Sequence, residues 1–218
     1  MIRHEDSYKT KGARKKLIEL LASKGITDNA VLAAMLKIPR HFFFDKTFEG
    51  HAYDDKAFPI GEGQTISQPY TVAYQTQLLH VHVGDKVLEI GSGSGYQTCV
   101  LAELGASLYS IERHESLSKK AQTMLSHFNY KAQLLCGDGT KGWPEFAPFD
   151  KIIVTAGAPV VPKTLAAQLA IGGILVIPVG DEKEQKMLSI VRKTEKSFEK
   201  IVHDTFKFVP LIGENGWK

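Results

Sequence analysis

The sequence predicts a doubly wound, mostly parallel α/β sheet that carries an N-terminal helical extension and a C-terminal β-hairpin. Three observations carry that prediction. From Lys86 onward, short β-prone runs alternate with helical runs, the pattern of parallel strands joined by crossover helices. The first of those strands runs into a glycine-rich turn, Gly91-Ser92-Gly93-Ser94-Gly95, and a helix follows at once. The last part of the chain changes character, with β-prone segments at Met187–Thr194 and Phe198–Lys207 parted by Glu195-Lys196-Ser197.

In chain order, Arg14–Ser23 reads as an amphipathic helix through Leu17, Ile18, Leu20 and Leu21. Thr27-Asp28-Asn29 supplies the N-cap of a second helix, which Pro39 closes. Arg40 to Gln68 reads as one long irregular stretch, rich in aromatics (Phe42, Phe43, Phe44, Phe48, Tyr53, Phe58). A structureless loop of more than about 15 residues in a compact domain is usually functional. Ser67-Gln68-Pro69-Tyr70 opens the next helix, with proline near its first position. Strands are then expected at Lys86–Ile90, Ser107–Glu112, Ala132–Cys136, Lys151–Thr155 and Ile174–Val179, and helices near Gln97–Leu104, Glu115–Phe128 and Lys163–Ala170. The reading is of one domain over 1–218, with a helical and loop region, 1–83, ahead of an α/β core, 84–218.

At 218 residues, with 43% hydrophobic and 23% charged side chains, the chain is not disordered, collagen-like or coiled-coil. Its longest apolar run, Gly173–Val179, falls short of the roughly 18 residues of a membrane span. The mixed start Met1–Ser7 does not read as a signal peptide, so no membrane role is expected and the expected address is cytoplasmic. Cys99 and Cys136, placed in helix and strand interiors, are expected to be reduced and structural. Residues 1–24 hold seven Lys/Arg (Arg3 among them) against three acids, while the remainder is close to balanced. That leader alternates with apolar residues as a solvated helix face does, and no aromatic-plus-basic groove accompanies it, so no nucleic-acid partner is expected. The eight histidines are scattered, with His80 and His82 at a spacing that shares no helix face, and no metal is expected.

Three glycines in five positions exceed what a ligand-free strand-to-helix turn requires, and they let the backbone approach a ligand beside free helix N–H groups. The spacing departs from the dinucleotide fingerprint, whose third glycine would fall at Tyr96. Glu89, two residues before the first glycine, would repel a pyrophosphate and attract an ammonium group. Glu112 ends the second strand roughly 20 residues after Gly91, where an acid hydrogen-bonds ribose hydroxyls. Asp138, at the end of the third strand, is placed to accept from an adenine amino group, although between Gly137 and Gly139 it reads on its own as an Asx-turn residue. Three acids at strand carboxyl ends fit S-adenosylmethionine better than a nicotinamide dinucleotide.

Strings along nearly the whole chain, from about Leu17 to Gly213, carry a resemblance. Gly61–Tyr70 and Leu88–Gln97 resemble the protein-L-isoaspartate O-methyltransferases. So do Tyr109–Arg113, Gly137–Gly139, Gly142–Pro144, Phe149–Ala156, Val176–Gly180 and Phe208–Leu211, with Gly157 the one small departure, where the family commonly shows a residue such as alanine. The resemblance implies the Rossmann-like fold of class I S-adenosylmethionine-dependent methyltransferases. It implies S-adenosylmethionine as cofactor and L-isoaspartyl residues of damaged proteins and peptides as substrate; separately, a monomer is expected. It assigns the key hydroxyl to Ser67 and the hold on the substrate backbone to Val209, Pro210 and Leu211. It lays Thr65, Ile66 and Gln68 across the cofactor, with Gly91, Ser92, Gly93 and Gly95 in the loop and Glu89, Glu112, Arg113, Asp138 and Gly139 at the strand ends as further contacts.

Elementary chemistry agrees with that assignment. Methyl transfer is an in-line displacement, and a free carboxylate with a pKa of about 4 is already ionised at neutral pH, so no general base is needed. Holding the reacting atoms in line and excluding water can contribute roughly 7–11 kcal/mol. A hydroxyl orients a carboxylate without holding it back as an arginine clamp would. On local sequence alone Ser67 also reads as a helix N-cap, and no Gly-x-Ser-x-Gly elbow surrounds it. A small-molecule methyltransferase and a non-catalytic adenosine-ligand sensor remain the alternatives at this level.

Overall fold

The computed structural model describes residues 5–218; Arg3 and His4 of the basic leader lie outside the described residues. The chain opens with helices α1 (Tyr8–Ser23) and α2 (Asn29–Lys37), then two single 3-10 turns at Arg40–Phe43 and Glu49–His51. An antiparallel hairpin of β1 (Phe58–Gly61) and β2 (Gln64–Ile66) leads into α3 (Pro69–Leu79). The wound part follows as β3 (Lys86–Ile90), α4 (Tyr96–Glu103), β4 (Ser107–Glu112), α5 (Glu115–His127), β5 (Ala132–Cys136) and β6 (Phe149–Val154). It continues through α6 (Lys163–Ala167) and β7 (Leu169–Gly180) and ends in β8 (Gln185–Arg192) and β9 (Phe198–Phe206). Among the described residues no helix is long and apolar enough to cross a membrane.

The seven-stranded sheet has the order β5-β4-β3-β6-β7-β8-β9. Its first five positions pair in parallel, and β8 and β9 add antiparallel at one edge, which is the expected appended hairpin. Val87, Leu88, Glu89 and Ile90 are all buried in β3, as a central strand covered on both faces requires. Helices α1 and α2 share a core with the sheet helices: Leu17, Leu21, Val31 and Met35 pack in one cluster with Val72, Tyr96, Val100 and Leu125.

Several boundaries differ from the sequence reading. Helix α1 starts well ahead of Arg14 because Ser7 caps it, accepting from the Thr10 N–H at 3.3 Å. Arg14 leaves the solvated face, buried against Asp6 through paired bonds of 3.1 and 2.9 Å and against the Tyr53 hydroxyl at 3.1 Å. The stretch 40–68 is not irregular throughout. Its strands of four and three residues were too short to show alternation, and their turn uses Gly61, Glu62 and Gly63, all at positive φ. The helix expected to Ala170 stops at Ala167, because Leu169 already pairs beside Phe149. Cys99 is buried as expected, but Cys136 is exposed, since β5 is an edge strand; both thiols are free.

Candidate active site

A crevice opens above the carboxyl ends of β3, β4 and β6, where the order passes from β4 on one side of β3 to β6 on the other. Open α/β sheets take their ligands at this switch point. A Cβ on Gly91, whose φ is 96°, would stand 2.5 Å from Thr155 Oγ1. Glycine there lets Thr155 donate to the Gly91 carbonyl at 2.7 Å, closing the base of the loop. The tip of the loop is held by Glu112, the last residue of β4. Its carboxylate accepts from the Gly93 N–H at 2.9 Å and from the His114 N–H at 3.0 Å. Gly139 lies directly on β3, where an added Cβ would meet Ile90 Cγ2 at 2.4 Å.

The facing wall comes from β2, from the two-residue link Ser67–Gln68, and from the chain after β9. Val209 to Leu211 is pinned beside β6 by two backbone bonds of 2.8 Å with Gly157, which accepts from Leu211 and donates to Val209. Trp217 adds its indole N–H to the Gly157 carbonyl at 3.0 Å. The Ser67 carbonyl accepts from Arg40 Nη2 at 2.8 Å, and Arg40 Nε donates to the Ala52 carbonyl at 3.0 Å. Burial pulls the Arg40 pKa down to about 10, which leaves it charged at neutral pH. On the far side of the link, Asp55 accepts from the Tyr70 N–H at 2.8 Å and pairs with Lys24 at 2.6 Å.

Residues 12–216 match the family model described as protein-L-isoaspartate(D-aspartate) O-methyltransferase. The chain belongs to the protein-L-isoaspartate O-methyltransferase family. A relative of that name from Cytophaga hutchinsonii is 57% identical over 98% of this chain and 96% of its own. One from Flavobacterium psychrophilum is 58% identical over 95% and 98%. A solved protein-L-isoaspartate O-methyltransferase superposes with a TM-score of 0.83 at 29% identity, covering 93% of this chain and 67% of that one. A Plasmodium falciparum structure described as a beta-aspartate methyltransferase, in complex with S-adenosyl-L-homocysteine, gives 0.81 at 26% identity over 91% of this chain and 98% of that one.

Within this family member, the crevice brings together Thr65, Ile66, Ser67, Gly91, Ser92 and Gly93 with Glu112, Arg113, Gly139 and Val209, Pro210, Leu211. Four expected residues stand elsewhere. Glu89 does not line the crevice: it is fully buried beneath the loop, accepting from Thr98 Oγ1 at 2.6 Å and Ser110 Oγ at 2.5 Å. Ser92 in turn shares a 2.6 Å bond with Ser110, so a hydroxyl chain links the loop to that carboxylate. Desolvation pushes the Glu89 pKa up to about 7, against the lowering effect of those hydroxyls. Gly95 is a packing residue, since a Cβ there would lie 2.9 Å from the Ala121 Cα on α5. Asp138 is the Asx-turn residue: Oδ1 accepts from the Thr140 N–H at 2.9 Å and hydroxyl at 2.7 Å, and Oδ2 from the Glu214 N–H at 2.9 Å. Gln68 opens instead onto a neighbouring groove along Asp204–Val209 that also reaches Ser67.

Other residues complete the lining, Thr155, Ile90, Ile111, Tyr96 and Gln97 among them. The strand-end rule that picked out Glu112 applies equally to Ile90, Ile111 and Thr155. Gln97 gave no sequence signal. Its Nε2 donates to Thr76 Oγ1 at 3.0 Å, whose own proton goes to the Val72 carbonyl, so the amide orientation is fixed. That leaves Gln97 Oε1 buried without a partner at the crevice wall.

Proposed function

We propose that this chain methylates the free α-carboxylate of L-isoaspartyl residues in damaged proteins and peptides, using S-adenosylmethionine, with Ser67 as the residue that orients the carboxylate. The observation that carries the assignment is the placing of Ser67 across one crevice from the glycine loop, with Val209–Leu211 beside it.

The residues present suit the cofactor. Ile90 and Ile111 give an apolar floor, and the Glu112 carboxylate stands at the strand end where ribose hydroxyls are bound. Two acceptors near the loop lack partners: Gln97 Oε1 at the wall and Glu89 Oε1 below it. Both atoms are closed to solvent, so a ligand ammonium group in the crevice acts on them through space. When bound, S-adenosylmethionine supplies a methyl group on a sulfonium sulfur, the leaving thioether keeping the bond's electron pair. The substrate oxygen needs no base, so the chain's task is positional. The Ser67 hydroxyl donates to one carboxylate oxygen and leaves the other free to attack, while the Val209–Leu211 strap holds the peptide and walls off water. Opposite charges cancel in this transfer, so a poorly hydrated crevice does not oppose it.

Residues 1–83 form a substrate-side region and 84–218 the α/β core, which takes the cofactor and also lends Val209–Leu211 to the substrate, in one domain acting as a monomer in the cytoplasm. For the compartment, support comes from the exposed free thiol of Cys136, which suits a reducing environment. Ser67→Ala tests the assignment. Turnover falls by roughly 10- to 100-fold, the loss of a hydrogen bond to a charged group, while calorimetry shows unchanged cofactor affinity. Lost cofactor affinity with normal turnover at saturation would contradict it.

A further inference from the structure

We propose that Arg40 is a positioning residue for methyl transfer, acting through the backbone of Ser67; the proposal rests on the role given to Ser67 above. Arg40 is fully buried, yet among the described residues no carboxylate lies within ion-pair distance of it. A guanidinium removed from water without an ion pair is costly, and a chain retains one where its geometry is needed. Here the planar fork does one thing that a hydrophobic residue of equal volume cannot. It joins two carbonyls, of Ala52 and of Ser67, that belong to segments on either side of the β1–β2 hairpin.

The guanidinium is itself held in place. Its carbon lies 4.8 Å from the Tyr96 ring centre and 5.3 Å from that of Phe44. Tyr96 is the first residue of α4, directly after the glycine loop, and it lines the crevice. One side chain therefore spans the segment that carries the proposed orienting hydroxyl and the helix that begins at the cofactor loop. Ser67 has no regular secondary structure to fix it, since β2 ends at Ile66 and α3 begins at Pro69. Its carbonyl bond to Arg40 restrains it directly, and the bonds of Gln68 to the Val72 N–H and of Asp55 to Tyr70 restrain the chain that follows. Fixing the carbonyl direction at Ser67 fixes the backbone of that residue, and so the position of the Cβ from which its hydroxyl extends.

Arg40→Lys keeps the charge but not the fork that reaches both carbonyls. The expected result is a fall in kcat of roughly 10- to 100-fold, the scale of misplacing a reacting group by about 1 Å, with cofactor affinity by calorimetry within about two-fold. The decisive comparison is made in the Ser67→Ala background. If Arg40 works through the Ser67 hydroxyl, Arg40→Lys then costs little or nothing more, because there is no hydroxyl left to misplace. Independent, multiplying losses in the double variant would overturn the proposal and make Arg40 a structural residue. So would an unaltered kcat in the single variant. Should Arg40→Lys not fold, Phe44→Leu removes one aromatic face and keeps the guanidinium. It is expected to lower kcat two- to five-fold, again only where Ser67 is present, and an equal loss in both backgrounds would overturn the proposal. An unimpaired Ser67→Ala enzyme would instead bring down the role of Ser67 itself.

Discussion

Two carboxylates near the ends of neighbouring strands, Glu89 on β3 and Glu112 on β4, have opposite fates, and strand position decides which. Glu112 is the last residue of β4 and so reaches the crevice rim, where it accepts two backbone N–H bonds. Glu89 lies one residue short of the end of a strand covered on both faces, so its side chain meets α4 at Thr98. Glu112→Ala should weaken cofactor binding by about 1.5–3 kcal/mol, read by titration calorimetry, because a charged acceptor is lost and the Gly93 N–H is left loose. Glu89 makes stability depend on pH. Its folded pKa of about 7 is above the ordinary 4.5, so folding favours the protonated form. Its favourable contribution is complete below 4.5 and is lost as pH rises through 7. Glu89→Gln cannot ionise, so its stability relative to the parent protein should rise between pH 5 and pH 8, by at most about 3 kcal/mol. Urea unfolding at the two pH values checks this, and a difference that stays flat would show that Glu89 does not ionise in that range.

Helices α4 and α5 meet where the loop ends, and Gly95 lets them. It caps α4 at a φ of 83°, with the Ala121 backbone of α5 against it. Gly95→Ala should therefore destabilise the fold by about 1–3 kcal/mol, through left-handed strain and overpacking together. The same unfolding measurement reports it. A neutral substitution would return Gly95 to the role of a ligand contact. The strands and helices of the wound core were legible in the sequence because each holds its strand or helix pattern over five or more residues, as in Lys86–Ile90 and Glu115–His127. The β1–β2 hairpin was not legible, being too short to alternate and lying among aromatics that pack on one another, such as Phe44 on Phe58. The glycine loop and Glu112 line the crevice that pattern reading expected of them, but Asp138 and Glu89 do not. Spacing tells where a side chain leaves the backbone, not which partner already occupies it: Asp138 is taken by Thr140 and Glu214, residues on its own turn and at the far end of the chain.

Over the whole molecule, the sheet supplies one half of the site and the additions to it supply the other. The wound strands present the loop and the rim acids. The N-terminal region brings Ser67 to face them, and the chain beyond β9 returns to β6 to add Val209–Leu211. Chemistry that needs only alignment, with no base and no metal ligand, suits a site assembled in this way from distant parts of one chain. The central claim is specificity for the misplaced carboxylate, and a matched pair of peptides tests it most directly. The two differ only in holding L-isoaspartate or L-aspartate at one position, and each is incubated with the enzyme and methyl-labelled S-adenosylmethionine. Label should enter the isoaspartyl peptide as a base-labile ester and leave the aspartyl peptide at background; equal labelling of the two, or of neither, would contradict the account.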